Sequence, residues 1–536
     1  MSGTVRAAEH IFPFDHPHTT APRELAGLLG GKGAGLAEMT SVLDLPVPPG
    51  FTIALPVCRA YRDAGWPADL DAAVAQQISA LESRMGRWLG DPSDPLLVAV
   101  RSGAPRSMPG MLDTVLNLGL NEETVEGLAA AAGNSAFAWD SYRRFLTMYA
   151  TTVLGVPKEK LESDSAGGPR ERALAVKNAL AAAGARVPES PAEQLRGAIE
   201  AVFRSWDSPR ARTYRAKEGI GENLGTAVNV QAMVFGNYDD RSGTGVVFTR
   251  DPSTGENQPY GDFLPRAQGE DVVAGSARTL PLSDMADLLP EVYAELTDRL
   301  SALEKHYRDM CDVEFTVERG KLYILQTRVG KRGAVAAVRL AADMARDPAI
   351  SLTADELRAR LTEDVLRRAR AETVAAARQG IAAEPVARGL GASPGRVSGA
   401  VVLDADAAAD AEGDVILVRP ETSPQDVHGM SVSAGILTST GGLVSHAAVV
   451  ARGWGIPAVV GANDLTVGAA EVRDERGDVL FRAGDVITID GATGEVWLGA
   501  ATPGQADDLR DDDIIARDLP ELAELERIVQ PGQISR

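Results

Sequence analysis

His446 is the residue whose surroundings are best suited to chemistry. The chain has six histidines, and this one follows the glycine pair Gly441-Gly442 and a good helix N-cap, Ser445. Residues 447–452 favour a helix, so His446 is expected in its first turn, where free N–H groups and the helix dipole favour an anion. A neutral imidazole there could attack phosphorus. A histidine that merely packs or caps the turn fits the same spacing.

Two segments place cations beside small residues. The glycine-rich stretch 30–35 contains Lys32 but lacks the spacing and the Ser/Thr of a P-loop, so it fits either a phosphate cradle or a flexible turn. In residues 101–110, Arg101 and Arg106 follow a predicted buried strand, 96–100. Guanidinium groups in such a setting suit bidentate phosphate contacts, and an exposed, solvated loop is an equally good interpretation.

A predicted hairpin carries a candidate magnesium site. Asp312 and Glu314 are two residues apart on one strand and share a face, as do Gln326 and Arg328 on the partner strand. Two carboxylates and an amide oxygen can hold Mg²⁺, and an adjacent arginine can meet nucleotide phosphates. An ordinary cross-strand ion pair is the alternative.

The pattern of helices and strands that must position these residues predicts a multidomain protein of the α+β or α/β class. We expect a first domain at 1–335 with a helical insertion at about 115–215, and a helical linker at 336–385. A domain of short strands and one clear helix is expected at 386–505, followed by an acidic tail at 506–536. In the first domain, strands are predicted at 226–235, 245–249, 312–317 and 322–326.

Composition excludes several classes of protein. The net charge of −21 argues against a broad nucleic-acid-binding surface. The two cysteines, Cys58 and Cys311, exclude a disulfide framework and favour a reducing cytoplasm. The sequence shows neither an apolar signal core near Met1 nor about 18 unbroken apolar residues, so we expect no membrane span.

Seven segments, taken in order, resemble the pyruvate, phosphate dikinase family. They are residues 30–34, 101–114, 225–231, 248–257, 268–275, 325–328 and 441–452. The resemblance implies an ATP-grasp nucleotide-binding domain with a helical insertion, a helical linker and a β/β/α swivelling phosphohistidine domain. It also implies that the connectors at 334–380 supply the reach of the moving domain.

The resemblance also implies a role for each matching residue. His446 would accept the phosphoryl group. Lys32, Arg101, Arg328 and Gln231 would bind ATP, and Asp312, Glu314 and Gln326 would hold Mg²⁺. In the family, ATP gives its β,γ-pyrophosphoryl unit to the histidine with release of AMP, and inorganic phosphate then removes the outer group as pyrophosphate.

Three departures from the family pattern qualify these expectations. The chain after Leu498 is too short for the family's pyruvate-binding barrel, which needs about 250 residues. Val444 stands where the family usually has a threonine that is a regulatory phosphorylation site in some members, so that control is expected to be absent. Thr440 replaces a usual arginine before the glycine pair, which would alter phosphate stabilisation near His446.

These features predict an ATP-dependent histidine phosphotransferase that passes its phosphoryl group to an acceptor, pyruvate or another small molecule, on a separate chain. The expected partners are ATP, inorganic phosphate and a separate barrel protein that binds pyruvate or phosphoenolpyruvate; a homodimer is also compatible. The alternatives are a non-catalytic nucleotide-binding subunit and a truncated dikinase that cannot complete the reaction alone.

Overall fold

The computed structural model describes the chain except for residues 1–4, 107, 109–110, 162–166, 270, 272–278, 381–383, 444, 504–508 and 530–536. The chain divides into two compact units. Unit 1 runs to Asp239 and includes Tyr323–Gln326; unit 2 comprises Asp240–Leu322 and the chain from Thr327 onward. Among the described residues, no helix has the length and hydropathy needed to cross a bilayer.

Unit 1 is built on five strands: β1 (Ile11–Pro13), β2 (Gly50–Ile53), β3 (Val98–Gly103), β4 (Thr114–Leu118) and β5 (Ala227–Ala232). They lie side by side in the order β1-β2-β5-β3-β4. β5 is central and every one of its residues is buried. Oδ1 of Asn229, a buried polar side chain of β5, accepts a hydrogen bond from the Thr52 hydroxyl over 2.8 Å.

The described residues of unit 1 also form eight helices: α1 (Ala26–Ala37), α2 (Leu55–Ala64), α3 (Leu70–Met85), α4 (Glu122–Ala132), α5 (Ser135–Thr152), α6 (Pro169–Ala182), α7 (Pro191–Ser205) and α8 (Pro209–Glu218). Short 3₁₀ turns lie at Ala7–His10, Pro22–Glu24 and Lys158–Lys160, and a π-helical turn at Glu38–Val42. The predicted helical stretch begins at Glu122 rather than near 115, because β4 comes first. Asn121 caps α4 by accepting the N–H groups of Glu123 and Thr124.

Unit 2 begins with a second five-stranded sheet. Its strands are β6 (Gly243–Phe248), β7 (Tyr260–Pro265), β8 (Leu280–Pro281), β9 (Cys311–Glu318) and β10 (Lys321–Val329), in the order β10-β9-β6-β7-β8. The predicted hairpin is confirmed, and its turn uses positive φ at Arg319 and Gly320. Between β8 and β9 lie a 3₁₀ turn (Leu282–Asp284) and the helices α9 (Met285–Leu288) and α10 (Pro290–Tyr307).

Three helices follow the hairpin: α11 (Ala334–Arg346), α12 (Ala354–Arg360) and α13 (Glu363–Arg378). Residues 347–353, which include Pro348, separate the first two of these helices. At the second helix, Thr353 and Glu356 form a reciprocal capping box.

Thirteen further strands occur in the described residues of the remaining chain. They are β11 (Gln379–Gly380), β12 (Ala387–Arg388), β13 (Leu390–Ser393), β14 (Arg396–Val402), β15 (Val415–Arg419), β16 (Gly435–Thr438), β17 (Ala458–Val460), β18 (Thr466–Val467), β19 (Glu471–Arg473), β20 (Val479–Arg482), β21 (Val486–Asp490), β22 (Glu495–Leu498) and β23 (Thr502–Pro503). Eight of them form the sheet β12-β22-β21-β14-β15-β16-β17-β13, and β18-β19-β20 form a small antiparallel sheet. β11 pairs with β23 as a separate two-stranded ribbon.

Helices α14 (Ala405–Asp410), α15 (Val427–Met430) and α16 (His446–Trp454), with a 3₁₀ turn at Pro424–Asp426, accompany the eight-stranded sheet. We call the region from Ala387 to Leu498 the histidine domain. Its β14, β15, β16 and β17 are short, largely apolar runs bounded by turn residues, which fits the short strands expected in this region.

The chain after β23 forms α17 (Asp511–Asp518) and α18 (Pro520–Val529). Ile515, Leu519, Leu522 and Leu525 are buried in one apolar cluster with residues of α11 and α13. The described part of the predicted acidic tail is therefore packed against the connecting helices, and those helices belong to a packed core.

Candidate functional site

Lys32 and Arg101 lie at neighbouring positions in unit 1. Lys32 belongs to α1, which is kinked at Gly30, where φ is +71°. The Gly31 N–H donates to the Ala104 carbonyl over 2.8 Å, so the kink lies against the end of β3, just beyond Arg101. A Cβ at Gly30 would lie 1.8 Å from the Gly103 carbonyl oxygen, so only glycine fits there. The glycine-rich segment is thus a kinked helix rather than an open flexible turn.

Arg101 and Gln231 lie on adjacent strands of that sheet. Arg101 is opposite Asn229 of β5 and Thr114 of β4. Gln231 is 2% exposed, and its Nε2 donates to the Pro48 carbonyl over 3.1 Å. Gln231 therefore lies inside the sheet, and its role in ATP binding remains a prediction.

Asp312, Glu314 and Arg328 come together in unit 2. Arg328 Nη2 is 3.0 Å from Asp312 Oδ2 and 3.4 Å from Glu314 Oε1. The predicted shared face of the two acids is therefore confirmed. Burial raises the pKa of Asp312, and the Arg328 guanidinium opposes that shift.

The residues present fit a magnesium ion. Asp312 Oδ1 is buried and has no hydrogen-bond partner, which is costly for a carboxylate unless a cation or a donor compensates it. Gln326 is half-buried on β10, two residues before Arg328. Within the described ranges no group of three His, Cys, Asp or Glu side chains could hold a metal. A site on this hairpin would therefore need the Gln326 amide or ATP phosphates as further oxygen ligands.

His446 is the first residue of α16, as predicted. The side chain of Ser445 caps the helix by accepting the Ala448 N–H. The His446 side chain is half-buried, and its Nδ1 lies 3.0 Å from the Thr422 hydroxyl. With Nδ1 engaged in this way, Nε2 is the nitrogen left to act as nucleophile. Burial lowers the pKa of His446, while Asp426 acts in the opposite sense, so the neutral imidazole is favoured.

Asp262 of β7 contacts the loop that leads to His446. Its Oδ2 accepts a hydrogen bond from the Leu443 N–H over 2.6 Å. A Cβ at Gly442 would lie 2.1 Å from that oxygen, so the approach requires glycine. Burial raises the pKa of Asp262 to about 6, against the lowering effect of the bonds from Leu443 and Thr279.

Asp262 and Thr422 are not among the residues predicted from the sequence. β7 is six residues long and ends at a proline, and it was not predicted. Thr422 precedes His446 by 24 residues and lies in a loop. The available signal was weak: a lone acid between Gly261 and Phe263, and a polar Thr-Ser-Pro turn after a buried strand.

Some predicted features lie outside the described residues. These are Val444, most of the 268–275 loop, part of the 101–110 segment and the ends of the 506–536 tail. The replacement at Thr440 is described: its hydroxyl donates to the Pro420 carbonyl over 2.8 Å, which ties the turn before His446 to the end of β15.

The architecture and the site define a class of protein with a nucleotide-binding portion followed by a mobile domain. The model of the pyruvate phosphate dikinase AMP/ATP-binding domain matches residues 62–281 and 278–347. The model of the mobile domain of PEP-utilising enzymes matches residues 411–494, which include His446.

Curated relatives agree with these matches. The chain is 47% identical over 527 residues to pyruvate, phosphate dikinase of Rhizobium meliloti (strain 1021), covering 92% of this chain and 58% of that protein. It is 44% identical over 517 residues to the Clostridium symbiosum enzyme, with the same two coverages. For the chloroplastic enzyme of Flaveria trinervia, identity is 45% over 533 residues, covering 94% and 55%. The chain belongs to the pyruvate, phosphate dikinase family, and it spans a little over half the length of these relatives.

Proposed function

We propose that this chain transfers a phosphoryl group from ATP to Nε2 of His446 and then presents it to an acceptor. The single observation that carries the proposal is the arrangement of His446: first turn of a helix, Nδ1 engaged by Thr422, and a lowered pKa. This arrangement leaves a neutral nucleophile beside free backbone N–H groups that can receive a phosphate.

The proposed chemistry follows the family. Nε2 attacks the β-phosphorus of ATP, an N–P bond forms, and the bond from that phosphorus to the AMP oxygen breaks. Inorganic phosphate then takes the outer phosphoryl group and leaves as pyrophosphate, so that one phosphoryl group stays on His446. When Nδ1 carries the proton, it donates to the Thr422 oxygen and so stabilises the imidazolium-like product.

In this proposal Lys32, Arg101, Arg328 and Gln231 bind ATP. Asp312, Glu314 and Gln326 would hold Mg²⁺, which when bound neutralises phosphate charge. The position of Lys32 and Arg101 at one end of β3, and the orphaned Asp312 oxygen, support these assignments.

We further propose that the acceptor, pyruvate or another small molecule, is bound by a separate barrel. A homodimer remains a prediction. A reducing, cytoplasmic setting is supported by Cys58 and Cys311, both of which are free and buried.

The domain boundaries at 335, 385 and 505 are retained as part of the proposal. In support, the matched nucleotide-binding model ends at 347 and the mobile-domain model begins at 411, and helices α12 and α13 lie between these two positions.

Labelled ATP tests the proposal directly. The purified chain is incubated with Mg²⁺ and ATP labelled at the β or the γ position, with and without inorganic phosphate. We expect an acid-labile, base-stable adduct on wild type that keeps the β label after phosphate removes the γ label. His446→Asn should carry none, whereas His428→Asn, an exposed histidine of the same domain, should be labelled normally.

An unlabelled wild type under all these conditions would overturn the proposal and favour a nucleotide-binding subunit without catalysis. Adding pyruvate to the labelled chain then tests the acceptor. We expect the label to stay on His446 until a barrel protein is supplied.

A further inference from the structure

Arg452 is a buried cation on the same helix as His446. It lies six residues after His446 on α16 and is 6% exposed. Its Nε donates to the Ala392 carbonyl and its Nη2 to the Leu443 carbonyl, both over 2.9 Å. Burying a guanidinium is costly unless it is well hydrogen-bonded. The deep burial of Arg452 therefore indicates a structural role.

Arg452 and Asp262 bind the two peptide groups that flank the Cα atom of Leu443. Arg452 binds the carbonyl of Leu443, and Asp262 binds its N–H. The Leu443 side chain is itself buried. The backbone three residues before His446 is therefore fixed from two directions.

The same guanidinium contacts the five-stranded sheet of unit 2. It lies over the ring of Phe248 on β6, 4.9 Å from the ring centroid, a favourable cation–π geometry. Burial lowers the pKa of Arg452, and the nearby carboxylates of Asp312, Asp251 and Asp262 oppose that shift. Asp312 is the buried acid of the candidate magnesium site.

We propose that Arg452 is a positioning residue that sets the His446 loop against the sheet carrying Asp312, through Leu443 on one side and Phe248 on the other. This inference rests on the proposed phosphorylation of His446 and adds to it a residue that contacts neither ATP nor the reacting nitrogen. The guanidinium donates to two carbonyls through its planar fork while it lies over a ring, a planar geometry that an ammonium group does not reproduce.

The test combines two changes on opposite sides of the contact. Arg452→Lys keeps the charge but loses the planar fork, and Phe248→Leu removes the ring without touching the histidine domain. Arg473→Lys, at an exposed arginine of the small sheet, is the matched control. The measured quantities are the single-turnover rate of His446 labelling, ATP affinity by calorimetry, and thermal unfolding.

We expect Arg452→Lys to slow labelling by about 10- to 100-fold while ATP affinity stays at the wild-type value. Phe248→Leu should slow it too, and the double variant should be no slower than Arg452→Lys, because both changes remove one contact. Labelling at the wild-type rate in Arg452→Lys, or a multiplicative loss in the double variant, would overturn the inference. So would an equal loss in the Arg473→Lys control.

Hydrogen–deuterium exchange separates this inference from the proposed function. In wild type the Leu443 amide should be protected, and Arg452→Lys should speed its exchange at least about tenfold. If wild type is never labelled but this exchange difference is found, the proposed function fails and the positioning contact stands. If wild type is labelled and exchange at Leu443 does not change, the positioning role fails alone.

Discussion

Oδ2 of Asp262 lies 2.6 Å from the backbone nitrogen of Leu443, although the two residues are 181 positions apart in the chain. The bond joins β7 of the unit 2 sheet to the loop that leads to His446. The bond is buried, and it can form only because Gly442 has no side chain that would collide with the Asp262 carboxyl group. Any movement that carries His446 away from this sheet must break it and hydrate a carboxylate that is now shielded from water.

Asp262 makes stability depend on pH in a predictable direction. Its pKa is raised from 3.8 to about 6, so the folded state holds a proton that the unfolded state has already released. The contribution of Asp262 is therefore fully present below about pH 4 and is lost as pH rises to about 6. Asp262→Asn should raise the free energy of unfolding at pH 7 relative to wild type by up to about 3 kcal/mol, with no gain near pH 4.

Urea unfolding from pH 4 to 8 measures this difference. Asp287→Asn, at an exposed acid before α10, serves as the control and should give a curve parallel to wild type. A constant offset between Asp262→Asn and wild type over the whole range would contradict the prediction.

Thr422 is expected to orient the nucleophile. Thr422→Val removes the 3.0 Å contact to Nδ1 at nearly constant volume and should slow His446 labelling about tenfold, the effect of one lost hydrogen bond of about 1.4 kcal/mol. Thr422→Ser keeps the hydroxyl and should stay close to wild type. Rapid-quench labelling gives the rates, and equal rates in the Val and Ser variants would exclude this role.

His446 should lose its neutral form only in acid. Burial lowers its pKa below the ordinary 6.5, so the free nitrogen needed for attack persists as pH falls through that value. NMR titration of the imidazole, assigned by comparison with His446→Asn, should give a midpoint below 6.5. A midpoint at or above 6.5 would contradict the burial argument, whether or not the chain is catalytically active.

Gly30 and Gly27 form a matched pair on α1. Gly30 has positive φ and no room for a Cβ, so Gly30→Ala should destabilise unit 1 by roughly 1–3 kcal/mol and weaken ATP binding near Lys32. Nothing lies within 4 Å of a Cβ at Gly27, so Gly27→Ala should be neutral or stabilising by about 0.5–1 kcal/mol. Thermal unfolding and ATP calorimetry test both, and similar effects in the two variants would show that the kink is unimportant.

Asp312 is expected to dominate Mg²⁺ binding on the hairpin. Asp312→Asn removes the negative charge of the carboxylate whose Oδ1 has no hydrogen-bond partner. It should lower Mg²⁺ affinity in the presence of a non-hydrolysable ATP analogue by at least about tenfold. Glu295→Gln, at a surface helix position, is the control. Calorimetric Mg²⁺ titrations should separate the two; identical affinities would place the ion elsewhere.

Local chemistry made much of this fold predictable. A serine cap and an alanine-rich run located α16 and with it His446. Short apolar runs between glycine and proline turns predicted a domain of short strands in the region where β14 to β17, β21 and β22 lie. In each case the signal lies within a few consecutive residues, where capping and burial act directly on the backbone.

The partners of the site were not predictable in the same way. Asp262, Thr422 and Arg452 act through residues that become neighbours only when distant elements pack together. The helix Asp511–Asp518 was hidden for a related reason. Its acidic first turn indicates a solvated tail, and only Ile514 and Ile515, packed inside, show that it is anchored.

The ribbon of Gln379–Gly380 and Thr502–Pro503 has a consequence for how the histidine domain is attached. The chain enters and leaves the histidine domain on two antiparallel, hydrogen-bonded strands, so the two connections to the domain lie side by side. A rotation of the histidine domain about these paired strands would not require the two strands to separate. The two ends of the domain are therefore adjacent, so the domain could be inserted into another protein at one position without stretching either connection.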